Sequence, residues 1–203
     1  MQRSEQIARR FDRHARSYDN PLTAWLGERE LRAVCKLVPA SCRVLDYGCG
    51  TGRTTLELLK RGCQVTAFDI STEMLGIARA KACQGGFEAD FLNDASQLTM
   101  RSWPVVTCIG VLDYYPDPVP MLRQLGQHLS PGGRLVVTFP NAISPLGWEY
   151  YLVSRMTVPA TPRTPRFVRR ACQRAGLRVE NMLFCLPAIA SIGYTMALSL
   201  SMN

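Results

Sequence analysis

Three glycines and two acids are the residues whose types and spacing most clearly suggest chemistry. Gly48, Gly50 and Gly52 stand at every second position after Asp46, and Asp69 closes the next apolar run. Glycines let the backbone turn sharply and approach a ligand with no Cβ in the way. A carboxylate beside such a loop suits a cationic group and would repel a pyrophosphate, whereas an acid at the next strand end can accept hydrogen bonds from a ribose.

The pattern predicts a ligand that carries a ribose and an ammonium group but no phosphates, and S-adenosylmethionine is such a molecule. The fingerprint of dinucleotide sites is GxGxxG, and the pattern here is DxGxGxG. The alternative is a nicotinamide dehydrogenase, and the acid before the first glycine, Asp46, argues against it. Calorimetry with the two cofactors would separate these hypotheses.

Seven strand-like segments, with helical segments between them, must position the loop. Strands that alternate with helices predict an α/β fold with a mostly parallel sheet and helices on both faces. The last two strands have a short link without a helix, so the last strand is predicted to be antiparallel. Because ligands bind at the carboxyl ends of parallel strands, the loop lies at the functional edge. The strands are predicted at residues 42–47, 63–70, 87–92, 105–111, 134–139, 177–186 and 194–200.

The length of the chain indicates a single domain over residues 1–203. Residues 1–38 are predicted to form two helices that act as a lid, the first with apolar residues at helical spacing. Residues 141–164 break the alternation with prolines and an apolar, aromatic patch, and we interpret them as an insertion at the substrate rim. Residues 183–203 carry no charge, but proline, glycine and serines interrupt them, which favours two buried strands over a membrane span.

The composition indicates a globular chain with a basic surface. The net charge is +8, and 47% of the residues are hydrophobic. Such charge suits an anionic substrate, a membrane surface or nucleic acid, or it serves solubility alone. The eight cysteines include no CxxC spacing and only two histidines are present, so no metal ligand set is visible. Without an apolar signal core at the N-terminus, the thiols favour a reducing, cytoplasmic location.

Six segments together resemble one enzyme family. They are FDRHARSYD (11–19), VLDYGCGTG (44–52), VTAFDIS (65–71), NDASQL (93–98), CIGVLDYYPDP (108–118) and LSPGGRLVVTFP (129–140). The sequence is similar on these segments to the class I S-adenosylmethionine-dependent methyltransferases, which implies a Rossmann-like form of the predicted fold. The first of them resembles the opening helix of quinone-biosynthesis and biotin-pathway methyltransferases. A departure is Trp103-Pro104, where the family usually has an acid before the fourth strand.

The resemblance implies a set of residues that bind S-adenosylmethionine. Asp46 and Asp69 are predicted to hold its amine and its sugar, and Tyr18 is implied to lie over it. Asp94 is implied to meet the adenine amino group, with Asp90 as the alternative because the register through FEADFLND is ambiguous. The cofactor-binding candidates are Tyr18, Asp46, Gly48, Cys49, Gly50, Gly52, Asp69, Ile70, Met74, Asn93, Asp94, Ala95 and Ile109.

The implied chemistry is displacement at a sulfonium methyl, for which the enzyme aligns the reacting atoms and excludes water. Aromatic faces near the sulfonium would stabilise its charge. The catalytic candidates are Asp113, Tyr114 and His14, with Asp113 and His14 as proton acceptors for a hydroxyl nucleophile.

The acceptor is predicted to be a small molecule. The Asn/Asp-Pro-Pro-aromatic motif of enzymes that methylate nucleobase amines is absent after the fourth strand, and no nucleic acid partner is expected. O-methylation of a small or amphiphilic acceptor is the leading hypothesis, with natural-product, lipid-like and quinone-pathway compounds all open. A peripheral membrane contact is also compatible with the insertion. The alternative is a partner subunit that binds the cofactor without catalysis, and the sequence leaves the oligomeric state open.

Overall fold

The computed structural model describes residues 2–19, 21–154, 160–185 and 193–202. Its strands are β1 Arg43–Tyr47, β2 Gln64–Phe68, β3 Asp90–Leu92, β4 Trp103–Cys108, β5 Leu129–Pro140, β6 Leu177–Cys185 and β7 Thr195–Met202. Its α-helices are α1 Gln2–His14, α2 Pro21–Leu37, α3 Arg53–Lys60, α4 Thr72–Gln84, α5 Val119–Gln127, α6 Pro145–Ser154 and α7 Pro165–Arg174. Short 3-10 turns lie at Ala15–Ser17, Ala95–Leu98 and Leu112–Tyr114.

The seven strands form one sheet in the order β3-β2-β1-β4-β5-β7-β6. All pairs are parallel except those of β7, which runs antiparallel to both β5 and β6. The predicted Rossmann-like sheet with an antiparallel last strand is therefore confirmed. The order reverses at β1, which has β2 on one side and β4 on the other, and such a switch point is where open sheets of this kind bind ligands.

Alternate residues of the central strands build two apolar layers. Along β4, Val105 packs with α2, α3 and α4 on one face, whereas Val106 packs with α5 and α7 on the other. Burial on both faces explains why these strands are nearly continuous apolar runs. Helices on both faces of the sheet are thus confirmed.

The strand β5 begins earlier than predicted. Leu129 already pairs with Trp103, and a register shift follows before Arg134 pairs with Val105. Residues 131–133, whose Pro-Gly-Gly sequence is typical of a turn, form a bulge within this longer strand, with Gly132 at a φ of 71°. A positive φ favours glycine, so the turn signal was correct but did not end the pairing.

The region 141–164 contains helix α6 and rejoins the sheet through a bridge between Asn141 and Arg163. Trp148 and Leu152 on α6 expose 49% and 62% of their surfaces. The substrate-rim role and the peripheral membrane contact stay predictions, and residues 155–159 of this region lie outside the described residues. No helix in the described part of the chain is both long and apolar enough to cross a membrane.

Candidate active site

A cavity of about 300 Å³ lies at the carboxyl ends of β1, β2 and β4. The loop between β1 and α3 forms one side, and the 3-10 turn Leu112–Tyr114 after β4 contributes another. The N-terminal helix α1 and the turn that follows it supply a third. The volume matches the lower end of small-molecule sites.

The glycine loop has the backbone form that the sequence suggested. Gly48 and Gly50 have φ angles of 76° and 54°, values that L side chains rarely adopt. A Cβ at Gly48 would lie 2.4 Å from a methyl carbon of Val111, whereas the space beyond Gly50 is open. Both glycines line the cavity, so the backbone can meet a ligand directly at Gly50.

Asp69 follows β2 and fixes this loop from the side. Its Oδ2 accepts a hydrogen bond from the Gly50 amide at 2.7 Å, and its Oδ1 accepts one from the Ser71 amide at 2.8 Å. The residue is 9% exposed and lines the cavity. Burial raises the pKa of this carboxyl to about 6, although the two amides lower it. At neutral pH the ionised carboxylate is therefore in place to accept the hydroxyls of a ribose.

Asp46 is not where the sequence hypothesis required it. Its side chain is 1% exposed and is absent from the cavity lining. Its Oδ2 accepts the Thr55 hydroxyl at 2.6 Å, and its Oδ1 accepts the Thr107 hydroxyl at 2.8 Å. The carboxylate ties β1 to β4 and α3 beneath the loop, and the direct contact of Asp46 with the amine stays a prediction.

We expect Thr107→Val to lower the free energy of unfolding by about 1–3 kcal/mol, because the buried Asp46 Oδ1 loses its donor. The affinity for S-adenosylhomocysteine should not change, since Asp46 lies outside the lining. Urea unfolding and calorimetry measure the two quantities. Thr99→Val is the matched control on an exposed threonine. A large loss of affinity without a loss of stability would restore direct contact of Asp46 with the ligand.

The N-terminal helix brings aromatic side chains to the cavity. Phe11 lies edge-on to Tyr114 with ring centroids 5.3 Å apart, and edge-on to Tyr18 at 6.0 Å. All three rings line the cavity, as does Tyr115. Loss of water around its hydroxyl raises the pKa of Tyr18, although the residue as a whole is 45% exposed. The predicted position of Tyr18 beside the ligand site matches its place in the lining.

Two acids fasten this N-terminal segment to the domain. Asp12 accepts a hydrogen bond from the Ser71 hydroxyl at 2.5 Å. Asp19 accepts one from the Thr51 hydroxyl at 2.9 Å and pairs with Lys81 at 2.5 Å. These bonds attach the N-terminal segment to the start of α4 and to the glycine loop, and so hold it against the cavity.

The structure brings most of the candidate residues together, and leaves others outside the lining. Those that line the cavity are Tyr18, Gly48, Cys49, Gly50, Asp69, Ile70, Met74, Ala95, Ile109 and Tyr114. Those outside it are His14, Asp46, Gly52, Asn93, Asp94 and Asp113.

Local contacts explain two of the exclusions. A Cβ at Gly52 would lie 2.9 Å from the Cβ of Ala78, so this glycine serves the close packing of α3 against α4. The ring Nδ1 of His14 lies 2.8 Å from the Arg10 carbonyl oxygen on its own helix. The structure therefore gives neither residue a contact with the ligand site.

The acid proposed to meet adenine caps a turn. Asp94 is exposed and accepts hydrogen bonds from the amide and hydroxyl of Ser96. Its neighbour Ala95 lines the cavity, so the adenine contact of Asp94 stays a prediction. Asp90 opens β3 and pairs with Arg101 at 3.5 Å. Because Asp90 lies at the amino end of β3, away from the carboxyl ends of the strands where the cavity lies, it is the weaker alternative.

Asp113 has an unusual environment behind the aromatic wall. It is 1% exposed, and neither carboxyl oxygen has a side-chain hydrogen-bond partner among the described residues. Burial and, to a smaller extent, the charge of Glu30 raise its pKa to about 7, although its own backbone amide and Arg163 lower it. Asp113 precedes Tyr114 in the same 3-10 turn, and its charge acts on Tyr18. A buried carboxyl without a partner is a common feature of functional sites.

The sequence hypotheses missed the polar end of the cavity. Asp19, Thr51, Arg53 and Thr54 line it together. Arg53 directly follows the last glycine of the loop, and this adjacency is the one signal that could have identified it. The position of Asp19 depends on how α1 folds back over the loop, which no local pattern encodes.

The residues present fit S-adenosylmethionine. Asp69 offers acceptors for the ribose, and Ile70, Met74 and Ile109 supply apolar lining suited to adenine. Two acids, Asp19 and Asp69, line the cavity, and their charges would repel a pyrophosphate. The negative charges of these two side chains therefore disfavour a dinucleotide.

Comparison with known proteins agrees with this geometry. A family model described as a methyltransferase domain matches residues 2–181. The ubiquinone biosynthesis O-methyltransferase of Xanthomonas axonopodis pv. citri (strain 306) is 31% identical over 162 residues, which span 72% of this chain and 67% of that protein. The enzyme of the same name from Xylella fastidiosa (strain 9a5c) is 32% identical over 178 residues, spanning 80% of this chain and 71% of that one.

A solved structure shows the same fold. The O-methyltransferase NcsB1 from neocarzinostatin biosynthesis superposes with a TM-score of 0.75 at 18% identity, covering 95% of this chain and 59% of that one. Its crystal contains S-adenosyl-L-homocysteine and 1,4-dihydroxy-2-naphthoic acid. With the family model and both sequence relatives in agreement, the chain belongs to the methyltransferase domain family as a class I S-adenosylmethionine-dependent enzyme that acts on small molecules.

Proposed function

We propose that the chain methylates a hydroxyl oxygen of a small aromatic or amphiphilic acceptor, with Asp113 as the proton acceptor. The observation that carries the proposal is the buried carboxyl of Asp113 beside the aromatic wall, which has no hydrogen-bond partner among the residues that the structure describes. The names of the two sequence relatives support oxygen as the methylated atom. The dihydroxynaphthoic acid in NcsB1 supports an acceptor with a phenolic hydroxyl.

The protein's own part is to bind, orient and exclude water. S-adenosylmethionine supplies a sulfonium-activated methyl group, which passes to the acceptor oxygen while the bonding electron pair stays on sulfur. Asp69 holds the ribose, and Phe11, Tyr18 and Tyr114 form an apolar wall that keeps water from the reacting atoms. Aromatic faces also stabilise a nearby positive charge. This division of work requires no metal ion.

Asp113 lies behind the cavity wall and outside its lining, so the proposed proton transfer requires the acceptor hydroxyl, or a group that bridges to it, to reach this carboxyl. A hydroxyl nucleophile must lose its proton near the transfer step, and a proton acceptor with a pKa near the working pH serves this best. Burial raises the pKa of Asp113 to about 7, so much of it is ionised at physiological pH. The charged groups that act on it are Glu30 on α2 and Arg163 before α7, and the charge of Asp113 in turn raises the pKa values of Tyr18 after α1 and Cys108 on β4.

The purified chain should produce methyl ethers from a panel of phenols, catechols and dihydroxynaphthoic acids, with matched anilines and amines as the nitrogen comparison. The measurements are S-adenosylhomocysteine release and the mass of the product. Methylation of the amines in preference to the phenols would contradict the proposal. Tight binding of S-adenosylhomocysteine with no turnover on any acceptor would instead support the non-catalytic partner subunit.

A further inference from the structure

Two cysteine thiols lie side by side at the amino edge of the sheet. Cys42 comes directly before β1, and Cys63 comes directly before β2. The Sγ atoms of the two residues are 4.0 Å apart. Both thiols also share one acceptor, since the Pro39 carbonyl oxygen lies 3.2 Å from the Sγ of Cys42 and 3.6 Å from that of Cys63. The chain that enters β1 therefore holds the two sulfurs together.

The pairing of β1 with β2 gives these two residues the backbone spacing of a disulfide. Arg43 is in register with Gln64, and the Gln64 amide donates to the Cys42 carbonyl oxygen at 3.0 Å. Cys42 and Cys63 thus stand opposite each other one position earlier. Neighbouring strands lie about 4.8 Å apart, within the range of about 4.4–6.8 Å between the Cα atoms of a disulfide. A bond between the sulfurs therefore requires rotation of the side chains and no movement of the strands.

The two thiols differ in their access to solvent. Cys42 is partly exposed, whereas Cys63 is 5% exposed. Cys63 also lines an open groove of about 740 Å³ at this edge of the sheet, which is a size that admits a small peptide. Burial and the neighbouring Cys63 raise the pKa of the Cys42 thiol to about 11, although Arg61 lowers it. Because the thiolate is the reactive species, the pair should react slowly near neutral pH and faster as the pH rises.

We propose that Cys42 and Cys63 are an oxidation site, which forms an intramolecular disulfide by exchange with a low-molecular-weight disulfide such as glutathione disulfide. The Cys42 thiolate attacks one sulfur of glutathione disulfide and displaces the first glutathione, which takes up a proton. The Cys63 sulfur then attacks the Cys42 sulfur of the mixed disulfide, and its proton passes to the second glutathione as that leaves. Two thiols become one disulfide, and glutathione disulfide is reduced to two glutathione molecules. The proposal is independent of the methyl-transfer chemistry.

The test is a peptide map of the full chain after incubation with glutathione disulfide at pH 8.5. The remaining thiols are alkylated, and trypsin should then release residues 37–43 joined to residues 62–79, each of which contains one cysteine. The joined mass should be about 2 Da below the sum of the two peptides, and dithiothreitol should separate them. Cys83 is exposed and is the internal comparison, because we expect it to carry glutathione alone.

Two variants and one control locate the bond. Cys42→Ser and Cys63→Ser should each abolish the cross-link, whereas Cys35→Ser should keep it, although Cys35 on α2 interacts with Cys63. The initial rate in the wild-type chain should rise about tenfold per pH unit between about pH 7 and pH 9, because Cys42 titrates above this range. The groups whose charges act on Cys42 are Arg61 and Cys63.

Stability and ligand affinity provide a second readout. The bond would link residues 21 positions apart, so the oxidised chain should melt about 5–10 °C above the reduced one. The affinity for S-adenosylhomocysteine should be unchanged, because the cavity lies at the opposite edge of the sheet. If a serine variant fails to fold, the peptide map of the wild-type chain decides alone. A Cys42–glutathione adduct that Cys63 never displaces, a link through Cys35, or reaction at Cys83 alone would overturn the proposal.

Discussion

An Asp69→Asn variant should bind S-adenosylhomocysteine about 100-fold more weakly than the wild-type chain at pH 7.5, which corresponds to the loss of about 3 kcal/mol. The ionised carboxylate is expected to accept both ribose hydroxyls, and an amide offers one acceptor and one donor in the same space. Asp69 also accepts the amides of Gly50 and Ser71. The side-chain N–H group of Asn would therefore face one of these backbone N–H groups, so that two hydrogen-bond donors oppose each other.

The matched control is Asp90→Asn. It makes the same chemical change on an exposed acid at the start of β3, where Asp90 pairs with Arg101. Calorimetry on both variants, with melting temperatures to confirm folding, should show a loss for Asp69→Asn alone. An unchanged affinity in a folded Asp69→Asn variant would count heavily against the ribose site.

The pH dependence of binding adds a second readout of the same residue. Burial raises the pKa of Asp69 to about 6, and the ribose requires the ionised form. The affinity of the wild-type chain should therefore fall as the pH drops below about 6, approaching about tenfold per pH unit for one proton taken up. Asp69→Asn should lack this proton-linked decline.

Local sequence pattern was sufficient to predict the sheet and to place Asp69 at the glycine loop. Apolar runs at strand spacing, broken by Gly and Pro, predicted all seven strands, and Asp69 acts locally on a loop amide. The hydrogen bond from Thr107 to Asp46 could not be predicted, because it forms only through the pairing of β1 with β4. The sequence shows that an acid, Asp46, lies near the end of a strand. It does not show that a hydroxyl on the neighbouring strand donates to this acid and so fixes the direction of its side chain.

The missed residues depend on contacts between distant helices. Arg53 contacts Glu30 because its guanidinium lies against α2 at Gly27. Gly27 stands within the helical segment α2, and nothing in the sequence around it indicates this contact. Pattern reasoning places residues on faces of one element at a time. A site that α1, α2 and α3 complete together becomes visible only once their packing is known.

Asp113→Asn should lower kcat by about 10²- to 10⁴-fold, the range for removal of a proton acceptor, and should leave the affinity for S-adenosylhomocysteine unchanged. The wild-type kcat/KM should rise with pH and level off above about 7, since the pKa of Asp113 is about 7 and the ionised form takes the proton. Asp113→Asn should lose this rising limb. Full activity in the variant would show that the acceptor loses its proton elsewhere.

Stability distinguishes a chemical role of Asp113 from a structural one. Burial raises its pKa from 3.8 to about 7, so the folded chain favours the neutral acid, and the stability this provides at low pH is lost as the pH rises through 7. Each pKa unit corresponds to about 1.4 kcal/mol, so the loss amounts to at most about 4 kcal/mol. Because Asn stays neutral, the melting temperature of Asp113→Asn relative to the wild type should rise as the pH increases from about 4 to about 7 and level off above that. A variant that is inactive yet more stable at alkaline pH would tie the lost activity to the missing carboxylate, whereas a variant less stable throughout this pH range would assign Asp113 to packing.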